Sequence, residues 1–324
     1  MLSSRANFPD LETLTKNVNY VFDINQFSYD QVTIQSREPN DYATTFPSEI
    51  ITCQFPDGSN LRLICKYAAG FNHNSHGHRG GVSYEAKIYR HILQKLQAST
   101  PTFYGAGKEK ITGESWIILE YFDEELRVKA SNSFSAMQAA ARWLGNFHRE
   151  NESLLSKTSL PFLNQHDVDY YLGWSDRTSQ FADHLHKRYP WLEKVCERFN
   201  EVVYILLEKQ ENIIHGEYYP NNVLFYQKNI YPVDWESAAI AIGEIDLASL
   251  IEKWPQHVSK NCTQIYKSTR WPEGQPDDFD LKLDTAQLYW NFRWLGDRPE
   301  WTHNPEGVKR IERLQFLAEQ MGLI

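Results

Sequence analysis

The sequence predicts an α+β chain of two lobes, a small antiparallel sheet followed by a larger and mainly helical part, on three observations. From about Gln31 to Tyr121 short runs of strand-like residues, VTIQ, EIITCQF, NLRLICKY and SWIILEYF, are punctuated by the turn PDGS and by one helical stretch from about Val82 to Leu96. From about Ser133 onward the apolar period becomes helical, in SFSAMQAAARWLGNFHRE, in YPWLEKVCERFNEVVYILLEKQ, in LDTAQLYWNFRWLG and in a last stretch from about Pro305 to Met321. The length, 324 residues with 41% apolar and 14% aromatic side chains, is enough to bury one large core or two moderate ones. The expected division places residues 1–121 in the N-terminal lobe and 122–324 in the C-terminal one, with a hinge near Tyr121.

Within the first lobe, Asp57-Gly58 read as a two-residue hairpin turn sets Cys53 opposite Arg62. The four cysteines, Cys53, Cys65, Cys196 and Cys262, show no CxxC spacing and read as reduced, packed thiols. In the second lobe, Leu192, Val195, Cys196, Phe199, Val202, Val203 and Leu206 recur at i, i+3, i+4 and predict one buried helical stripe. The exception to the helices is IIHGEYYPNNVLFYQKNIYPVDWE, two short strands about a tight turn at Gln227 to Asn229.

A formal net charge of -9 argues against a nucleic-acid partner, which needs clustered Lys and Arg to displace counterions. The opening MLSSRANFPDLETL has no signal-type apolar run, and no stretch approaches the ~18 apolar residues of a membrane span. The expectation is a cytoplasmic protein with no membrane partner.

The polar residues of the hairpin region form a spaced set. His215-Gly216-Glu217-Tyr218-Tyr219-Pro220-Asn221-Asn222 precedes a strand, Asp234-Trp235-Glu236 follows its partner, and Gly243 and Asp246-Leu247-Ala248 come next. Asn222 and Asp234, at the ends of neighbouring strands, bring two hard oxygens of the kind magnesium prefers. A turn cap at Asp234 and an Asx-turn at Asn222 would use the same residue types. Upstream, Lys66 shares a strand face with Ile64, and Glu85 a helix face with Ile88, Tyr89 and Ile92. Both charges point inward, and a buried charge is rarely left unpaired, so each is the economical partner for the other.

These motifs resemble the aminoglycoside phosphotransferase and choline-kinase-like superfamily, whose loop reads H-G-D-x-x-x-x-N and whose metal segment reads I-D-W-E. The likeness is specific over about Asn212 to Leu250 and consistent in order elsewhere. It implies a protein-kinase-like fold, with ATP held between an N-terminal nucleotide-binding lobe and a C-terminal catalytic and substrate-binding lobe. It implies Mg2+ on Asn222 and Asp234, and Lys66 on the α- and β-phosphates, steadied by Glu85. The acceptor is implied to be a hydroxyl of a small molecule, aminoglycoside-like, choline-like, sugar or amino alcohol. His215 is expected to brace the loop by a hydrogen bond.

Two departures stand out. The position of the family's catalytic Asp is Glu217, of nearly equal basicity (about 4.3 against about 3.9) but longer by on the order of 1 Å, a displacement that can cost about a hundredfold in rate. A G-x-G-x-x-G loop is absent; in its place the Thr44, Thr45 and Ser48 hydroxyls or the loop amides suit phosphates, and an ordinary β-turn would read the same. By the same resemblance, backbone near Glu120 to Phe122 meets adenine and Ile64 and Leu224 sandwich it. The alternative is a nucleotide-binding pseudokinase with a regulatory or scaffolding role, in which Glu217 marks lost transfer.

Three further features carry bland readings of equal or greater weight. His73, His76 and His78 in FNHNSHGHRGG match no zinc spacing. Trp271, Tyr289, Trp290, Phe292, Trp294 and Trp301 suit core packing better than a substrate cavity. Asp277, Asp278, Asp280 and Asp284 suit a solvated loop and helix start as well as an amine-attracting site.

Overall fold

The computed structural model describes residues 8–24, 32–43, 45–68, 76–109, 113–123, 126–208 and 212–324. It is α+β, as the sequence predicts, and forms two compact units: Met1–Asn74, Arg79–Leu126 and Leu224–Glu236 make one, and Ser75–His78, Arg127–Val223 and Ser237–Ile324 the other.

In the first unit β1 (Thr33–Pro39), β2 (Ser48–Gln54), β3 (Asn60–Tyr67), β4 (Phe103–Lys108) and β5 (Ser115–Glu120) form an antiparallel sheet in the order β1-β2-β3-β5-β4. Side chains alternate across β3, so Leu63, Cys65 and Tyr67 face one side, and Ile64 and Lys66 the other. The first side is covered by α1 (Leu11–Ile24), whose Leu14, Val18, Val21 and Phe22 form one core with Ile51, Cys53, Leu63, Cys65, Trp116 and Ile118. The stretch from α2 (Gly81–Ile88) continues through a π-helical turn, Tyr89–Leu93, and ends at Gln94–Leu96. It buries Glu85, Ile88, Tyr89 and Ile92.

The β2–β3 connection corrects the expected hairpin. Cys53 pairs with Leu61 and Thr52 with Arg62. The loop is one residue longer than two, with Gly58 at φ +85° and Asp57 accepting the Ser59 amide at 2.9 Å, the geometry that glycine permits at a bulged turn. All four cysteines are buried free thiols.

The second unit contains α3 (Phe134–Lys157), α4 (Val168–Phe181), α5 (Trp191–Arg198), α6 (Glu244–Ile251), α7 (Gln256–Arg270), α8 (Phe279–Leu295) and α9 (Pro305–Gln320). Polar caps start several of them: Ser133 accepts from Ala136, Asp167 from Tyr170 and Asn304 from Gly307, each filling a first-turn amide that has no helical partner. The stripe from Leu192 to Leu206 is not one helix. After Arg198 it tightens into 3-10 turns at Phe199–Glu201 and Val203–Leu206, a stretch that holds the β-branched Val202, Val203 and Ile205, residue types that lose side-chain freedom in an α-helix. Its apolar residues still reach the core, with Phe199, Val203 and Leu206 buried.

Strand β6 (Asn212–Ile214) pairs antiparallel with β9 (Ala239–Ala241), which also takes the two-residue strand Asn164–Gln165 in parallel. The hairpin of β7 (Val223–Tyr226) and β8 (Asn229–Pro232) turns through Gln227 and Lys228, at φ +48° and +66°. Among the described residues no helix is long and apolar enough to cross a membrane.

Candidate active site

In the first unit, a buried lysine gathers three carboxylates. Lys66 ends β3, and its ammonium lies 2.8 Å from Glu85 of α2, 2.8 Å from Asp234 and 3.3 Å from Glu236. The pair expected from the inward direction of Lys66 and Glu85 is formed. Burial opposes the charge on Lys66, but attraction from Asp234, Glu236 and Glu85 outweighs it and holds the ammonium well above its ordinary pKa. Glu85 also accepts from the Trp235 amide at 3.3 Å, and Arg79 lies 3.0 Å from Glu236. The Gly80 amide donates to the Glu236 carbonyl, tying the start of α2 to the same segment.

Asp234 differs from its neighbours. It sits at φ +65°, a region that Asp tolerates better than most residues, and its side chain is 43% exposed while Glu85 and Glu236 are almost fully buried. Among the described residues three carboxylates thus gather at Lys66 and Arg79, with solvent access at Asp234.

The other predicted residues of this unit are placed as follows. Ser48 is buried at the head of β2, where its hydroxyl accepts from Asn40 at 2.9 Å. Thr45 lies half-buried in the preceding loop, and Thr44 lies outside the described residues. Phe46 of that loop packs over the Lys66 ammonium, 5.5 Å from the ring centre. Ile64 is half-buried and Leu224 buried. The Glu120 and Tyr121 amides are taken by the carbonyls of Thr102 and Arg62, and Phe122 stacks on Tyr226 with ring centres 4.9 Å apart.

In the second unit the loop between β6 and β7 is pinned by Asp246 of α6. Its carboxylate, fully buried, accepts from the His215 amide at 2.6 Å and the Gly216 amide at 2.9 Å. Gly216 is required there: its φ is +79°, and a Cβ would run into the Ser237 carbonyl oxygen. His148 approaches the same carboxylate at 3.3 Å, and burial lowers its pKa although Asp246 opposes this. His215 braces the loop, its Nδ1 accepting from the Glu217 amide at 3.3 Å. Asn222 is buried and donates its side-chain amide to the Glu217 carbonyl at 3.3 Å.

The Glu217 carboxylate is nearly buried, 2.6 Å from Arg293 of α8 and 3.8 Å from His78. Burial works against the Arg293 charge, but Glu217 together with Tyr289 and Tyr170 outweighs it and holds the Arg293 pKa above its ordinary value, so the guanidinium stays protonated. Aromatic side chains surround the pair. Arg293 lies over Trp290, 4.8 Å from the ring centre, Tyr170 and Tyr289 share a hydrogen bond of 3.1 Å, and His166 stacks on Tyr170 at 3.8 Å.

Sequence reasoning missed Arg79, Glu236 as a partner of Lys66, and Arg293. Arg293 had a readable signal, since it falls three residues after Trp290 and four after Tyr289, on a helical stripe that is otherwise aromatic. Of the histidine loop, His76 packs on Tyr170 with its Nε2 3.1 Å from the Tyr170 carbonyl, and His78 packs on Trp174. His73 lies outside the described residues. Among those described, no three His, Cys, Asp or Glu side chains are arranged to hold a metal ion by themselves. Tyr289, Trp290 and Phe292 are core residues, and Asp277 and Asp280 are exposed.

The model of the phosphotransferase enzyme family matches residues 73–288. A search of the curated proteins found no match. Among solved structures, the choline kinase LicA from Streptococcus pneumoniae is 14% identical with a TM-score of 0.60, covering 94% of this chain and 99% of its own. A choline kinase from Cryptosporidium parvum is 14% identical with a TM-score of 0.61, covering 97% and 98%. The GDP complex of aminoglycoside 2'-phosphotransferase-IIIa is 13% identical with a TM-score of 0.58, covering 94% and 99%. At these identities the likeness is one of fold.

Proposed function

Since the chain belongs to the phosphotransferase enzyme family, we propose that it transfers the γ-phosphoryl group of Mg-ATP to a hydroxyl of a small molecule. The observation that carries the reading is the partly exposed Asp234 carboxylate beside the buried Lys66–Glu85 pair. A hard carboxylate with solvent access and two further carboxylates beside it suits a divalent cation, and magnesium is commonly held by one or two protein oxygens together with phosphates and water. The residues present therefore fit the group.

In this reading residues 1–121, joined by the segment Leu224–Glu236 that packs with them, serve the nucleotide, and the rest of residues 122–324 serves catalysis and the acceptor. Lys66 exchanges part of its carboxylate company for the α- and β-phosphates, and Glu85 keeps its ammonium aimed. Asp234 and Asn222 offer oxygens to magnesium, which when bound neutralises charge on the phosphates. Ile64, Leu224 and the backbone around Glu120 and Phe122 receive the base, with Thr45 and Ser48 near the phosphates. Glu217 accepts the proton of the acceptor hydroxyl, and His215 and Asp246 hold its loop. Neighbours of the same fold are complexes with GDP, with AMP, or with GDP and kanamycin, which supports a nucleotide and a small hydroxylated acceptor.

One observation favours the second reading, a nucleotide-binding protein without transfer: Glu217 is already engaged by a cation. Acceptor-dependent ADP release separates the two. A panel of aminoglycosides, choline, ethanolamine, sugars and macrolides, offered with Mg-ATP, is expected to contain at least one compound that raises ADP release above the hydrolysis background. Binding of Mg-ATP with no such compound would favour the second reading.

A further inference from the structure

We propose that Arg293 is the positioning residue that lets a glutamate work where the family pattern has aspartate; the proposal rests on the phosphotransferase reading above. The extra methylene of Glu217 has to be absorbed somewhere, and the backbone offers little room. Ahead of it, the His215 and Gly216 amides are fixed on Asp246, and Gly216 is confined by the Ser237 carbonyl. Behind it, the Glu217 carbonyl accepts from the Tyr219 amide at 2.8 Å and from Asn222 at 3.3 Å, and the buried Tyr218 hydroxyl donates to the Ala140 carbonyl at 3.1 Å. A loop held on both sides leaves the longer reach to the side chain, whose additional torsion must then be fixed by a partner.

Arg293 supplies that partner. Its Nη2 donates to Oε1 of Glu217 at 2.6 Å, a short contact of the charge-assisted kind. The guanidinium is itself held, buried in the last turns of α8 and lying over Trp290, a planar contact that lysine would not reproduce. Among the described residues Glu217 is the carboxylate that Arg293 touches. A buried ion pair is a poor device for stability alone, because well-packed apolar side chains of similar volume often serve as well or better. Fixing one carboxylate in one place is a better account of its presence, and misplacement on the order of 1 Å is worth about a hundredfold in rate.

The test is a kinetic cycle on the full chain with Arg293→Met, Arg293→Lys, Glu217→Gln and the double variant Glu217→Gln/Arg293→Met. ADP release is measured with whichever panel acceptor gives the highest rate, and Mg-ATP stabilisation is read by thermal unfolding of the same samples. Arg293→Met is expected to lower kcat by about a hundredfold, with the KM for ATP and the Mg-ATP thermal shift within about twofold of the parent chain. Arg293→Lys is expected to recover about tenfold of that loss. In the Glu217→Gln background the Met substitution is expected to change kcat by less than about twofold, because the two residues act as a unit. If the uncompensated glutamate prevents Arg293→Met from folding, Arg293→Lys and the charge-neutral double variant carry the test. The proposal is overturned if the Arg293 variants transfer as fast as the parent, or if the loss is equally large with Gln at 217. It is also overturned if the parent chain binds Mg-ATP and transfers to no acceptor, since Arg293 would then hold Glu217 away from the chemistry. Failure of the phosphotransferase reading looks different, with no Mg-ATP stabilisation of the parent chain at all.

Discussion

Lys66 and Arg293 are both buried cations that hold carboxylates, and the two arrangements differ in balance and in access. Lys66 draws in Glu85, Asp234 and Glu236, of which Asp234 is 43% exposed, so among the described residues the group sets three carboxylates on one ammonium and opens to solvent at one oxygen-bearing arm. Arg293 holds Glu217 with both side chains less than a tenth exposed, and their charges cancel. An unbalanced, partly open cluster is prepared to take on another cation, whereas a balanced, closed pair fixes a geometry. On the reading proposed above, the same elementary interaction serves once as a receptor for charge and once as a clamp.

The largest effect expected from breaking this contrast comes from its open side. Asp234→Asn keeps volume and deletes the exposed charge, and metal-dependent transfer is expected to fall on the order of a thousandfold while the fold survives. Retained metal-dependent turnover in the purified variant would move the metal site elsewhere. On the closed side, Glu217→Gln is expected to cost about a hundredfold or more in kcat with little change in nucleotide affinity, since a proton acceptor acts on the transition state. Glu217→Asp, although it restores the family residue, is expected to bring no gain, because the shorter carboxylate draws back from Arg293. A much faster aspartate variant would mean that the native loop is poorly aligned.

How much of this was legible follows from the range of the interactions. The sheet, α2, the Lys66–Glu85 pair and the loop from His215 to Asn222 were readable because each rests on local period or fixed spacing. Helix α1 was missed although Asp10, which accepts from the Thr13 amide at 2.7 Å, and the spacing of Leu14, Val18, Val21 and Phe22 carried its signature. The hairpin register was misjudged by one residue, since Pro56-Asp57-Gly58 supports either a two- or a three-residue loop. Arg79 with Glu236, and Arg293 with Glu217, are 157 and 76 residues apart, and no local pattern announces a pairing at that range.

Smaller effects sharpen the account of the clamp's surroundings. Gly216→Ala is expected to cost at least about 2 kcal/mol of stability, from a left-handed backbone and a clash with the Ser237 carbonyl, measured by denaturant unfolding. An alanine variant as stable as the parent would show that the loop between β6 and β7 can relax, which removes the reason for a clamp. His166, near the same pair, has its pKa pushed down to about 3 by burial and by the Arg293 charge. Its folded pKa lies below the unfolded value of about 6.5, so the unfolded chain binds the proton first as pH falls. Stability is therefore expected to drop between about pH 6.5 and pH 3, with this residue contributing a slope of up to about 1.4 kcal/mol per pH unit. His166→Gln should flatten that part of the profile, and an unchanged acid limb would remove the residue from the account.

The central claim, that the Lys66 cluster is a receptor for magnesium-bound nucleotide, is tested most directly by thermal unfolding of the parent chain and of Asp234→Asn against Mg-ATP. At a hundred times Kd the parent is expected to gain about 2.7 kcal/mol, visible as a rise in Tm, with the gain falling sharply in the variant or when magnesium is chelated. A parent chain that is folded and shows no rise in Tm at millimolar Mg-ATP would contradict the account.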